Sequence, residues 1–200
     1  MMKVLEQYRQ PANMLCQSYR HSECQAYISP LVDDDIATLK QIGTDPTIWR
    51  FARFPKNEQA VFNRYFESLL KDPSSFLFTV RDKDTQEVIG FTRLKSIDFT
   101  HKRAEIGTWL MGTSQGKGIN KYIKKQLLTV AFEILKLDEV YCYVNRENQP
   151  SVKSLLSLGF VINEDKNRLS PTHKKEVDMA QYYIHISADR FAQTLWQQQA

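Results

Sequence analysis

Residues 105–120 read Glu105-Ile106-Gly107-Thr108-Trp109-Leu110-Met111-Gly112-Thr113-Ser114-Gln115-Gly116-Lys117-Gly118-Ile119-Asn120. The stretch falls into three parts. Ala104 to Met111 has the length and residue types of a strand. Gly112 to Gly118 is polar and glycine-rich. Ile119 then opens a run in which Ile119, Ile123, Leu127, Val130 and Ile134 step by four, four, three and four, the spacing of one helical face. Lys121, Lys124, Lys125 and Glu133 are assigned to the other faces, and the Lys124/Lys125 pair is expected to be solvated. A strand that passes through a glycine loop into a helix leaves several backbone N–H groups without intrahelical partners, all aimed one way. The helix dipole adds roughly half a positive charge there, so the position favours a phosphate. Glycine lets the backbone approach that phosphate closely.

The loop is neither G-x-G-x-x-G nor a Walker loop ending Gly-Lys-Ser/Thr. It also lies mid-chain, where a Rossmann fingerprint would follow the first strand. Nucleotide-dependent oxidoreductases and NTPases are disfavoured on both counts.

Downstream, Val140 to Val144 reads as a short strand, followed by a helix-length piece ending at Gly159 and a strand over Phe160 to Ile162. Residues 163–177 are charged, include Pro171 and read as a loop. Met179 to Ser187 then reads as a strand, and Asp189 to Gln198 as a helix with Phe191 and Leu195 inward. Upstream, Phe76 to Arg81 and Val88 to Leu94 flank a polar turn, which predicts an antiparallel pair. In 57–71, Val61/Phe62, Tyr65/Phe66 and Leu69/Leu70 recur every four residues as one helical face. Asp33, Asp34 and Asp35 supply acidic signals for the start of a helix that carries Ile36, Leu39 and Ile42. Cys24 to Ser29 is a candidate first strand, and Ile48 to Phe54 an aromatic-rich connection. Residues 1–23 lack periodicity and read as an N-terminal extension to a single domain over 24–200. The fold class is therefore α/β (α+β): a mixed, mostly antiparallel central sheet with one parallel crossover and helices on both faces.

Two hundred residues with 42% hydrophobic and 25% charged content suit one ordinary globular domain. No apolar run approaches the roughly 20 residues that span a bilayer, and residues 1–9 lack the apolar segment of a signal peptide. The expected location is the cytoplasm. Cys16, Cys24 and Cys142 form no framework and no C-x-x-C pair, and the four histidines show no metal spacing, so no metal is expected. A net charge of +4 is too small to argue for nucleic acid.

Gln115-Gly116-Lys117-Gly118-Ile119-Asn120 resembles the Gln/Arg-x-x-Gly-x-Gly/Ala signature of the GCN5-related N-acetyltransferases (GNAT), with Asn120 where Gly or Ala is usual. Glu105-Ile106-Gly107 with Trp109-Leu110 looks like that family's preceding strand. Asn148-Gln149-Pro150-Ser151, then Leu158-Gly159-Phe160, looks like its Asn-x-x-Ser and Leu-Gly-Phe elements. Order and spacing resemble the branch containing the ribosomal-protein N-terminal acetyltransferases. The likeness implies a GNAT fold, acetyl-CoA as co-substrate and direct transfer to a primary amine. Partners would be acetyl-CoA and an amine acceptor, with no nucleic acid and no membrane, and a homodimer is compatible with it. A protein N-terminal amine is the first-ranked acceptor. A polyamine or aminoglycoside is the alternative, and a non-catalytic CoA-binding module the third reading.

The resemblance also implies roles. A V-shaped opening between strands 104–111 and 139–145 would take the pantetheine arm, paired with backbone near Trp109, Leu110 and Met111. Amides from Gln115 through Gly116, Lys117, Gly118, Ile119 and Asn120 would hold the diphosphate, and Asn148 the arm. Glu105 reads either as a general base acting through water or as an ion pair with Arg103 or Lys102. Ser151 reads as proton donor to the departing thiolate or as cap of a helix beginning near Val152. Glu164 is a weaker candidate for amine recognition. Trp49, Phe51, Phe54 and Trp109 could wall the acceptor site or simply pack in the core.

Overall fold

The first element of the fold is an α-helix, α1 (Met2–Arg20), where the sequence reading expected an aperiodic extension. Leu5, Ala12 and Cys16 are buried from one side of it, and the Tyr8 ring stacks on Phe99 at 5.7 Å. Pro11 lies inside the continuous helix, and Leu5, Tyr8, Ala12, Leu15 and Cys16 fall three and four apart along the face that packs on the core. The computed structural model describes residues 2–20, 24–52, 56–163 and 181–197. Glu164, Phe54 and most of the expected loop at 163–177 lie outside the described residues.

Among the described residues seven strands build one sheet in the order β1-β2-β3-β4-β5-β7-β6. They are β1 (Ala26–Pro30), β2 (Phe76–Asp82), β3 (Val88–Asp98), β4 (Arg103–Leu110), β5 (Glu139–Asn145), β6 (Val161–Ile162) and β7 (Gln181–Ser187). All neighbours pair antiparallel except β4 and β5, the parallel pair left by the crossover. The mixed α/β architecture expected from the sequence is present. β3 runs four residues past the expected end at Leu94, bending through a bulge between Lys95 and Asp98 where Ser96 takes a φ of 51°.

Helices cover both faces. On one lie α2 (Asp33–Ile42) and α3 (Gln59–Leu70), which bury Leu39, Phe62, Phe66 and Leu69 against Phe91. α2 is anchored from beneath: buried Asp35 accepts from Thr79 Oγ1 at 2.7 Å and pairs with Arg81 at 2.5 Å. The other face carries α1, α4 (Ile119–Thr129), α5 (Gln149–Leu156) and α6 (Ala188–Gln197) over the larger core. Ile119, Ile123, Leu127 and Val130 are buried as their spacing requires. α4 then widens into a π turn over Val130–Ile134, where the Leu135 N–H reaches Val130 O. Edge strand β1 would expose unpaired backbone. Buried Gln126 of α4 covers it, accepting from the Ile28 N–H at 2.9 Å and donating to Ala26 O at 3.2 Å.

Candidate active site

β4 and β5 pair over only three positions, Arg103↔Glu139, Ala104↔Val140 and Glu105↔Tyr141. Beyond them the strands part. The gap opens into a cavity of about 390 Å³ bounded on the β4 side by 105–109 and on the β5 side by 142–145. This is the opening expected from the sequence.

Which backbone groups face the gap follows from the register. The Met111 N–H donates to Ile89 O at 2.9 Å, and Trp109 and Gly107 lie opposite Phe91 and Arg93. By alternation the N–H and C=O groups of Trp109 and Met111 are turned to β3, while those of Thr108 and Leu110 turn to the gap. Of the three backbone positions named from the sequence, only Leu110 presents itself there, and Thr108 was missed. Leu110 O already accepts from Gln115 Nε2 at 2.9 Å.

The loop after β4 is open. Gly116 and Gly118 both hold left-handed φ values, +75° and +77°, and a Cβ at either would meet nothing within 4 Å. The N–H groups of Gly116, Lys117 and Gly118 have no bonding partner among the described residues, and those of Ile119 and Asn120 start α4, where none exists within the helix. The Gln115 N–H differs: it donates to Gly112 O at 3.1 Å, so the row of free donors begins at Gly116. Asp45 fixes the near side of the loop, accepting from the Gly112 N–H at 2.8 Å and the Thr47 N–H at 2.9 Å. Partial burial opposes the Asp45 charge, yet the bonds from Thr47 and Gly112 outweigh it and hold its carboxyl below the ordinary value. A side chain at Gly112 would collide with Thr47 Oγ1 at 2.7 Å.

Glu105 lines the cavity and is only 16% exposed at its side chain. Its partner is Lys95, directly opposite on β3, with Nζ 2.7 Å from Oε1. The expected partners are engaged elsewhere: Lys102 lies 3.7 Å from Asp138, and the Arg103 guanidinium stands 6.0 Å over the Tyr141 ring. The bulge at Ser96 and Ile97 sets this register, and nothing in the sequence marks it. Ser151 also lines the cavity, in the first turn of α5. It is not the cap. That place belongs to Asn148, whose Oδ1 accepts from the Ser151 N–H at 3.2 Å, with Pro150 in the first turn where a missing N–H costs nothing.

Around Glu105 the wall is aromatic and cationic. Trp49, Tyr65, Phe91 and Trp109 line it, and the Trp109 ring stacks on Phe91 at 5.6 Å, its buried Nε1 lacking a partner among the described residues. Phe51 lines it too, its carbonyl accepting from Asn145 Nδ2 at 3.4 Å. Lys56, Arg93, Lys95 and Lys124 face a single carboxylate, Glu105, among the described residues. Burial and then the Arg93 charge depress the Lys56 ammonium pKa. Arg93 lies over Gly107, where a Cβ would come within 3.4 Å of its Nε.

Lys124 overturns an expectation. It is 4% exposed rather than solvated, and its Nζ has no hydrogen-bond partner among the described residues. The readable signal was the stripe it shares, one turn from Asn120 and from Leu128 and two from Ala131. Cys142, on β5, packs as the small apolar residue its strand suggested, and burial pushes its thiol up to about 12.

The family described as the acetyltransferase (GNAT) domain matches residues 26–161. The "Uncharacterized N-acetyltransferase p20" of Bacillus licheniformis is 30% identical over 131 residues, 64% of this chain and 74% of that protein. Spermidine N(1)-acetyltransferase of Escherichia coli (strain K12) is 24% identical over 136 residues, 68% of this chain and 72% of that protein. Among solved structures, spermidine N-acetyltransferase from Vibrio cholerae in complex with CoA and spermine superposes with a TM-score of 0.69 at 21% identity, over 84% of this chain and 98% of that one. At that identity the likeness is one of fold.

Proposed function

Since the chain belongs to the GNAT acetyltransferase family and is an acetyl-CoA-dependent N-acetyltransferase, we propose that transfer takes place in the gap between β4 and β5, with a protein N-terminal α-amine as acceptor. Free N–H groups of Gly116 to Asn120 hold the diphosphate at the start of α4. The pantetheine arm pairs with Thr108 and Leu110 as a missing strand would, satisfying backbone that the gap leaves bare. Asn148 shapes the turn beneath the arm. The amine attacks the thioester carbon directly, Glu105 takes its proton through water, and Ser151 gives one to the departing sulfur. The cytoplasm is the proposed location.

The observation that carries the acceptor assignment is the charge of the wall: three cations, Lys56, Arg93 and Lys95, crowd the one carboxylate beside the gap among the described residues. A polyamine brings further positive charges into that wall. Each one within roughly 8 Å of a lysine or arginine costs about 2 kcal/mol at an effective dielectric of about 20, before screening. Residues 164–180, between β6 and β7, carry four basic and four acidic side chains, so their composition offers no compensating excess of carboxylates. An α-amine adds a single charge, and with a pKa near ~7.8 roughly a tenth of it is neutral at pH 7, against about one lysine amine in 2,500. A base tied to Lys95 is adequate for the first and poorly suited to the second.

The polyamine reading remains the second, favoured by the relative named a spermidine N(1)-acetyltransferase. Thiol release from acetyl-CoA, measured with an N-terminal peptide and with spermidine, separates the two. The peptide should have the higher kcat/KM, by about tenfold or more at low salt. Faster turnover of spermidine would reverse the assignment.

A further inference from the structure

One side chain in the cleft has a charge and, among the described residues, nothing to set against it. Lys124 stands one turn beyond Asn120 on α4, and both line the gap together with Cys142 and Ser151. Its Nζ is buried without a hydrogen-bond partner among the described residues, and so is Asn120 Oδ1. Burial depresses its ammonium to about 8, the Cys142 thiol opposing that slightly. The ammonium is therefore the prevailing form at neutral pH. A buried ammonium is among the costliest groups to keep unless an anion meets it. Among the described residues none does: the single carboxylate lining the cavity, Glu105, is held by Lys95. A ligand entering the gap can bring the anion.

Position selects which anion. Odd-numbered residues of β4, Glu105, Gly107 and Trp109, face the α2–α3 side with the aromatic wall, the side given above to the amine with its base Glu105. Lys124 and Ser151 come from α4 and α5, across the sheet. In the tetrahedral intermediate the new C–N bond and the C–S bond diverge from the same carbon, so an amine on the α2–α3 side leaves the side of α4 and α5 for the sulfur. Bound acetyl-CoA is neutral at its thioester. A negative charge appears at sulfur only as the C–S bond breaks.

We infer that Lys124 is a further catalytic residue, whose ammonium stabilises the thiolate expelled from acetyl-CoA. The inference rests on the transferase reading above. The amine nitrogen bonds to the carbonyl carbon and pushes its π electrons onto oxygen. When the carbonyl re-forms, the C–S pair leaves with sulfur beside Nζ, and a proton from Lys124 or Ser151 completes the CoA thiol. The proton lost by the amine leaves through water at Glu105, and solvent restores the donor. An interaction that exists only once charge develops lowers the barrier without tightening the ground state.

The test reads the sulfur itself. CoA bound to wild type and to Lys124→Met is titrated by the ultraviolet absorbance of its thiolate. The bound thiol should ionise about one pH unit lower in wild type, a roughly tenfold difference in thiolate fraction. The other ionisable groups described around the site are common to both proteins: Glu105 on β4, Arg93 and Lys95 on β3, Lys56 before α3, Tyr65 on α3, and Cys142 and Tyr143 on β5. Burial holds Cys142 near about 12, above the range scanned. With whichever amine wild type acetylates, the variant should lose about 10- to 100-fold in kcat while the KM for acetyl-CoA moves less than about threefold. Lys124→Arg should restore part of the loss, and a melting temperature at or above that of wild type excludes a folding defect. Equal thiol titrations in the two proteins would overturn the inference. So would a wild type that prefers a dicarboxylic acyl-CoA and loses that preference in Lys124→Met, since Lys124 would then read the acyl chain. If neither protein binds CoA, the transferase reading itself fails, a different outcome from CoA binding with unchanged titration.

Discussion

Replacing Lys124 by methionine should make this protein more stable. The side chain keeps its length and loses its charge, so the packing against Leu128 and Cys142 survives while the buried ammonium disappears. The magnitude follows from the depression of the Lys124 pKa from 10.5 to about 8. Those 2.5 pKa units, at 1.36 kcal/mol each, amount to about 3 kcal/mol. The sign and the pH window come from proton linkage. Below pH 8 both folded and unfolded chains carry the proton, and the whole penalty is present. Between pH 8 and 10.5 the folded chain gives up the proton while the unfolded chain keeps it, so stability of the wild type rises with pH. Near pH 10 the remaining penalty is about 1 kcal/mol. Urea unfolding of wild type and Lys124→Met at pH 7 and pH 10 measures both values. The variant should be ahead by about 3 kcal/mol at the lower pH, with the gap shrinking towards 1 at the higher. A variant no more stable than wild type, or a gap that ignores pH, would mean that Lys124 is solvated or paired in solution, and the cost assigned to it would be wrong.

Gly118→Ala tests the loop as a cradle. The left-handed φ costs the new side chain about 1 kcal/mol, but its Cβ meets no protein atom, so unfolding should shift little while CoA binding by calorimetry weakens about tenfold or more. A large loss of stability with unchanged CoA affinity would make the glycine a folding device. Glu105→Gln keeps the shape but leaves Lys95 without its partner. Initial rates should fall about tenfold for an N-terminal peptide at pH 7, and further for a lysine side-chain amine, since the harder deprotonation needs the base more. Equal losses for the two acceptors would reduce Glu105 to a structural half of its ion pair.

What the sequence disclosed about the site is local, and what it withheld is relational. The strand, glycine loop and helix over 105–129 are written in consecutive residues, as are the turn at Asn148 and the helix after it. Glu105 could be recognised as an acid near the start of a central strand, but its partner depended on a bulge ten residues earlier that moves the pairing of β3 and β4. The cation surplus is likewise invisible in a chain of net charge +4, because Lys56, the β3 pair Arg93 and Lys95, and Lys124 come from three different segments. Lys124 was misassigned for a simpler reason. A lysine next to another lysine on a helix is usually solvated, and that habit outweighed the apolar stripe it shares with Leu128 and Ala131. α1 was missed although Leu5, Tyr8, Ala12 and Cys16 step by three, four and four, because the stripe runs past Pro11, a residue that usually ends a helix.

The chemistry assigned to this cleft depends on a division within the sheet. β5 is bound to β7 over seven paired positions and to β4 over three. β4 is held to β3 along its length. Each half of the sheet thus satisfies itself, and the seam between them is free to open. Opening it exposes one edge of β4, which only an amide-bearing guest can satisfy without water, and it lets α4 reach from behind with its N-terminus at the mouth and Lys124 inside. Had β4 and β5 paired to their ends, the same helix would still bind a phosphate at Gly116 to Asn120, but Lys124 would face closed backbone and its charge would be untenable. The unpartnered lysine and the splayed strands therefore need one another, and the group that reconciles them is a ligand with amides along its length and an incipient anion at its end.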